Sequence, residues 1–207
     1  EAYRGIHAPT TMAEVTAARH RLVFDEFLRM QLGLVLRKRA LAADRHGIAH
    51  PAGSALVERY LAELPFPLTG DQRRAISDIE RDLAQDSPMH RLLQGDVGSG
   101  KTVVALAMLL QVIDGGGQGA LLAPTEVLAE QHWLGISAML QGLEIEREGS
   151  LFTRRPVRTA LLTGRATAAQ RREIHAALRS GDLDLLVGTH ALIEDSVEFA
   201  ALGGVVV

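Results

Sequence analysis

The sequence predicts an α/β fold, a parallel sheet with helices on both faces, preceded by an α-helical segment. From residue 64 onward, short apolar runs alternate with longer segments of helical period. Gly and Pro clusters punctuate the joins between them. Before residue 64 the apolar positions recur only at helical spacing. The predicted division is therefore a helical linker over residues 1–63 and an α/β domain over residues 64–207.

The elements follow in order. Residues 1–10 carry Gly5, His7 and Pro9 and read as a connecting stretch. Thr11-Met12-Ala13-Glu14 has the capping-box pattern, so a helix starts there. Val15, Leu22, Phe24, Phe27, Leu28 and Leu32 carry its period toward Arg39. Arg37-Lys38-Arg39 sits near its end, where cations suit the helix dipole. Residues 44–54 read as a loop and 54–64 as a short helix, and Leu64-Pro65-Phe66-Pro67-Leu68 breaks the chain. Strands are then predicted over 91–94, 119–123, 157–162, 183–187 and 204–207, the last as a buried strand. Helices are predicted over 71–83, 101–113, 126–140 and 167–178. Residues 144–156 read as a surface loop insertion, with Arg154 and Arg155 in solvent or against a polyanion.

Composition narrows the class. Apolar residues make up 47% of the chain and aromatics 4%, so the core is built from Leu, Val, Ala and Ile. The formal net charge of −3 excludes a broad basic field. Residues 1–60 nevertheless carry nine Arg/Lys against six Asp/Glu, so any polyanion contact is local. With no cysteine, thiolate chemistry and disulfides are excluded. No signal-peptide pattern opens the chain, and the longest apolar stretch, 103–113, is broken by Gln111 and too short to span a bilayer. A soluble, cytoplasmic protein with no membrane partner is expected.

One motif carries specific chemistry. Gly95-Asp96-Val97-Gly98-Ser99-Gly100-Lys101-Thr102 matches G-x-x-x-x-G-K-[ST] without a gap, between a predicted strand and a predicted helix. Glycines permit the positive φ angles and close approach that a phosphate cradle needs. The following helix presents the positive end of its dipole. Lys101, one of two lysines in the chain, supplies a full charge to the β- and γ-phosphates of ATP, and Thr102 offers a hydroxyl to Mg²⁺. The predicted domain is thus a P-loop NTPase.

This loop, together with Ala123-Pro124-Thr125-Glu126-Val127-Leu128-Ala129-Glu130-Gln131-His132 and Val187-Gly188-Thr189-His190-Ala191-Leu192-Ile193, resembles the RecG-type DNA helicases of superfamily 2. Leu64-Pro65-Phe66-Pro67-Leu68-Thr69-Gly70-Asp71-Gln72 and Arg21-Leu22-Val23-Phe24-Asp25-Glu26-Phe27-Leu28 fit the same family. The resemblance implies a RecA-like first motor domain that uses ATP and Mg²⁺ to remodel branched DNA, stalled forks and Holliday junctions, in recombination and repair. A monomer is the expected state. By the same resemblance, Leu68, Thr69 and Gln72 belong to the adenine-reading segment, with Phe66 placed to stack on the base. Pro124, Thr125 and Glu126 correspond to a first DNA contact, Thr163 and Gly164 to a second, and Gly188, Thr189 and His190 to a third. Glu126 reads equally as a first-turn charge favouring the helix dipole.

The family places an acidic DExH motif after the strand at 204–207, a second motor domain beyond it and a DNA-wedge domain upstream. The 207 residues hold none of these, so a fragment is expected that binds ATP weakly and does not turn it over at a useful rate. Two other readings stay open. One is a transcription-repair coupling translocase with a similar phosphate loop. The other is a non-catalytic nucleotide-binding module.

Overall fold

A computed structural model of the chain describes residues 1–43, 47–146, 154–193 and 196–207. It comprises two compact units, Glu1–His46 and Gly47–Val207.

The first unit is helical. The stretch expected to be a plain linker instead contains a short helix, α1 (Ala2–His7), followed by α2 (Met12–Ala43). Gly5 permits this packing: a Cβ there would lie 3.1 Å from Ala18 Cβ on α2. The start of α2 forms half of the expected capping box, with the Glu14 carboxylate turned to Thr10 instead of the Thr11 amide. The Glu14 amide donates to Thr11 Oγ1 at 3.3 Å, and the Glu14 carboxylate reaches back to the Thr10 hydroxyl and amide, each at 2.7 Å. These bonds, the Thr10 hydroxyl foremost, hold the Glu14 carboxyl below its usual range.

The second unit contains α3 (Ala55–Ala62), α4 (Gly70–Leu83), α5 (Lys101–Asp114), β1 (Gln118–Leu122), α6 (Glu126–Met139), β2 (Glu144–Glu146), β3 (Arg154–Pro156), β4 (Thr159–Leu162), α7 (Ala168–Ser180), β5 (Leu185–Gly188) and β6 (Leu202–Val206). A short 3₁₀ turn, His190–Ile193, follows β5. Four parallel strands form the sheet in the order β4-β5-β1-β6. Leu185 and Val187 of β5 face a core built with Leu121, Leu109 and Ile136, from β1, α5 and α6. Leu186 and β4's Leu162 face the other way, against Leu178 of α7. Alternate side chains of one strand thus enter opposite cores, which explains why β5 is apolar throughout. Gly119 lets α5 approach β1 closely, since a Cβ there would meet Leu109 Cδ2 at 2.9 Å.

Buried Gln118 ties the start of the sheet together. Its Nε2 donates to the Leu178 and Leu183 carbonyls at 3.0 and 2.7 Å, and its Oε1 accepts from the Ala201 amide at 2.9 Å.

Several expectations change. The compact unit begins at Gly47, ahead of the expected boundary at residue 64, because Leu56 and Tyr60 of α3 are buried in the main core. Residues 91–94 form no strand. Leu92 is 86% exposed, and Arg91 is drawn to Asp82 Oδ2 by bonds of 3.0 and 2.6 Å from Nε and Nη2. The last strand is less buried than expected: among the described residues β6 pairs with β1 alone, and Val205 is half exposed. The expected loop over 144–156 contains two antiparallel arms, β2 and β3; residues 147–153 lie outside the described residues. Arg155 is not a solvent arginine. It forms a two-pronged ion pair, 2.6 and 2.8 Å, with fully buried Asp184. Arg154 pairs with Glu146 in solvent at 2.6 Å. Among the described residues no helix is long and apolar enough to cross a membrane.

Candidate functional site

The connection through Gly115–Gly117 turns α5 into β1, so the N-terminus of α5 lies at the carboxyl edge of the sheet. That edge is where open α/β sheets hold ligands. The Gly95–Thr102 loop ends there. Gly98 and Gly100 adopt φ angles of +80° and +79°, left-handed values that favour glycine. Gly100 caps α5 without any side-chain hydrogen bond, leaving first-turn amides for an anion. Lys101 folds back over the loop, its Nζ donating to the carbonyls of Gly95 and Asp96 at 2.8 and 2.7 Å. Val97 at the tip is fully exposed, and Thr102 is half-buried beside Lys101.

Gln72 lies against this loop. Its Nε2 donates to the Ser99 carbonyl at 2.9 Å, while its Oε1 accepts from the Thr69 amide at 2.8 Å. Thr69 Oγ1 accepts from the Gln72 amide in return, completing a capping box on α4. Leu68 packs partly into the core and anchors this turn, whereas Phe66 is left half exposed.

Three further strand-end loops share the edge, because β1, β4 and β5 are parallel and in register at Leu122, Leu162 and Gly188. After β1, Pro124 and Thr125 are exposed, and Thr125 caps α6 by accepting from the Leu128 amide at 3.3 Å. After β4, Thr163 is buried and Gly164 exposed. After β5, Gly188 and Thr189 are buried and His190 is exposed. A Cβ at Gly188 would collide with the Leu162 carbonyl, so the close strand spacing there needs glycine.

The structure adds a residue that the sequence reading missed. Arg165 Nε lies 3.0 Å from Glu126 Oε2, and its Nη1 lies 3.8 Å from Glu130 Oε1. A basic residue directly after the Thr163-Gly164 strand end was the available signal.

The family model for DEAD/DEAH box helicases matches residues 69–207, which include every one of these loops. The chain belongs to this family. Among the DEAD/DEAH box helicases it is similar to the ATP-dependent DNA helicase RecG of Synechocystis, 45% identical over 98% of this chain and 23% of that protein. It is 42% identical to the RecG of Mycobacterium tuberculosis and 41% identical to that of Bacillus subtilis, over the whole chain and 28% of each relative. The chain thus spans about a quarter of the length of the curated relatives it matches. A solved structure of RecG bound to a three-way DNA junction matches 99% of the chain at 38% identity, with a TM-score of 0.84, and this chain covers 26% of that one. The resemblance to RecG read from the motifs therefore extends through both units, as does the RecA-like parallel-sheet architecture of the second.

Proposed function

We propose that this chain is the nucleotide-binding portion of an ATP-dependent DNA helicase that remodels branched DNA in recombination and repair. The observation that carries the reading is the convergence of the Gly95–Thr102 loop with three strand-end loops at one sheet edge. The likeness to RecG, whose solved structure holds a three-way junction, supports the choice of DNA. Residues 64–207 serve as the first motor domain, with α3 packed into its core and the rest of residues 1–63 leading into it. The protein works as a monomer in the cytoplasm.

The loop fits a phosphate. Left-handed Gly98 and Gly100 open its backbone, the uncapped first turn of α5 offers amides, and the Lys101 ammonium is already held over it. Gln72 and Phe66 border the place for adenine. Thr102 would give its hydroxyl to Mg²⁺, which supplies charge neutralisation across the β- and γ-phosphates.

Around the DNA, Pro124, Thr125 and Gly164 are exposed at strand ends where amides and a hydroxyl can meet a phosphate, and His190 is exposed beside them. Thr163, Gly188 and Thr189 are buried, so they shape these loops from beneath. Such contacts read backbone rather than sequence, as a translocating motor needs.

Binding of a fluorescent ATP analogue and of a labelled three-way junction tests this. Lys101→Ala should weaken analogue binding by tenfold or more, on the order of one to two charge-assisted hydrogen bonds. Junction binding without nucleotide should persist. Equal analogue binding by both proteins, or no junction binding by the unaltered protein, would overturn the reading.

A further inference from the structure

Helices α3, α4 and α5 enclose a cavity of about 140 Å³ beside the C-terminal half of α5. Its floor is buried: Ile79 from α4 and Ala107, Met108 and Gln111 from α5 are each less than a tenth exposed. Residues 76 and 79 lie one turn apart on α4, as do 107 and 111 on α5, so each helix lends one face. Gly53 and Glu58 are exposed at the mouth.

The hydrogen-bond donors around this cavity are committed elsewhere. Gln111 Nε2 donates toward the carbonyls of His50, Pro51 and Glu80 at 3.3, 3.2 and 3.5 Å. The Gly53 amide donates to Glu80 Oε1 at 2.6 Å, and the Ser54 hydroxyl to Asp114 Oδ2 at 2.7 Å. The acceptors are not committed. Among the described residues Gln111 Oε1 accepts no hydrogen bond, although the residue is only 4% exposed. The three carbonyls around Nε2 fix which end of the carboxamide is the donor. Glu80 keeps a second carboxylate oxygen without a partner, and the Glu58 carboxylate has no ion pair among the described residues.

Unmatched acceptors around an apolar hollow call for donors on an apolar body. An ammonium group has three donors and no acceptor, and its charge suits the two carboxylates. The volume sets the size of the body, since a cavity of about 150 Å³ holds a benzene ring.

We propose that this cavity is a binding site for a small organic ammonium ion whose apolar part is one ring of about six carbons. The ring lies against Ile79, Ala107 and Met108. The ammonium turns to Gln111 Oε1 and the Glu80 carboxylate, with Glu58 at the mouth. Such a ligand grips the two helices whose starts are joined by the bond from Gln72 to Ser99. The site is independent of the reading of the sheet edge as a nucleotide and DNA surface.

The test is a titration of the intact protein with benzylammonium chloride, followed by calorimetry and amide NMR shifts, beside benzyl alcohol as the uncharged isostere. Benzylammonium should saturate, with shifts concentrated at Ile79, Ala107 and Gln111, and should raise the melting temperature. Benzyl alcohol should bind about tenfold more weakly, the effect of losing one charge-assisted hydrogen bond. Glu80→Gln keeps an acceptor for the Gly53 amide but loses the charge. It should weaken benzylammonium about tenfold and leave benzyl alcohol unchanged. Ala107→Leu fills the hollow and should abolish binding of both. Melting curves read folding separately, and Glu80→Gln carries the test if Ala107→Leu does not fold.

No saturable binding by the unaltered protein overturns the proposal. Binding that survives Ala107→Leu in a folded protein also overturns it, marking ion pairing at the acidic surface instead. Equal affinity for the alcohol and the ammonium removes the charge selection, and the proposal fails there too.

Discussion

Gln72 Nε2 donates to the Ser99 carbonyl at 2.9 Å, so the first turn of α4 is bonded directly to the phosphate loop. The same carboxamide accepts from the Thr69 amide. Both ends of the side chain are committed to orienting these two segments, so the start of α4 and the Gly95–Thr102 loop are mechanically joined.

Gln72→Ala should therefore act at two places. It removes half of the α4 capping box, costing about 1 kcal/mol. It also releases the Ser99 carbonyl, and analogue affinity should fall several-fold with one net hydrogen bond lost. Gln72→Glu keeps the acceptor but places a carboxylate oxygen beside the Ser99 carbonyl, so it should bind no better than the alanine variant. Melting temperature and analogue titration check both.

Gly98 and Gly100 form a natural comparison. Both have positive φ, so alanine at either costs on the order of 1 kcal/mol of backbone strain. Around Gly98 the added Cβ meets open space, whereas at Gly100 it collides with Gln72 Nε2. Gly100→Ala should lose stability and analogue affinity beyond Gly98→Ala, and a Gln72→Ala background should erase part of that excess. Equal losses in both backgrounds would show that the collision is relieved elsewhere.

Arg155→Ala leaves fully buried Asp184 with the Arg158 amide, 2.8 Å away, but without its guanidinium. Breaking such a pair should destabilise the protein by about 3 kcal/mol, measured as a lower urea midpoint. A loss under ~1 kcal/mol would place the pair with surface salt bridges. Junction binding in the folded protein should not change, since Asp184 precedes β5, at the sheet end opposite the proposed DNA surface.

His50 is 1% exposed, with neither ring nitrogen making a well-formed hydrogen bond. It is wedged against Gly115, Gly117 and Gly203, where a Cβ would crowd its ring at 3.0, 3.4 and 2.8 Å. Burial pushes its imidazole below the ordinary value of 6.5, and the Gly203 backbone opposes this by less. The unfolded chain then takes up a proton first as pH falls. Stability should be fully present above pH 6.5 and decline below it, until the folded state also protonates. His50→Leu should flatten that slope in pH-dependent melting; an unchanged slope would move its origin to other groups.

Much of the fold was legible locally. The periods over 71–83, 126–140 and 167–178 became α4, α6 and α7 within a few residues, and Thr69, Thr125 and Thr167 cap them as their types suggest. The phosphate loop was readable because its glycines, lysine and threonine lie within one short segment. The segment at 91–94 misled because two leucines between Arg91 and Gln94 carry no information about a strand partner. Arg155 misled for a related reason: its partner lies 29 positions away, beyond any local pattern.

The sequence by itself determined the α/β class, the phosphate loop and the strand ends that carry the remaining candidates. Those are set by sterics and hydrogen bonds among near neighbours in the chain. Only the tertiary structure decided that the strands run β4-β5-β1-β6, that Gln72 braces Ser99 across 27 positions, and that Arg165 rests on Glu126. Strand order and register arise from how the whole set of apolar faces packs at once. That packing brings residues distant in sequence to the same edge, and no single window of residues contains it.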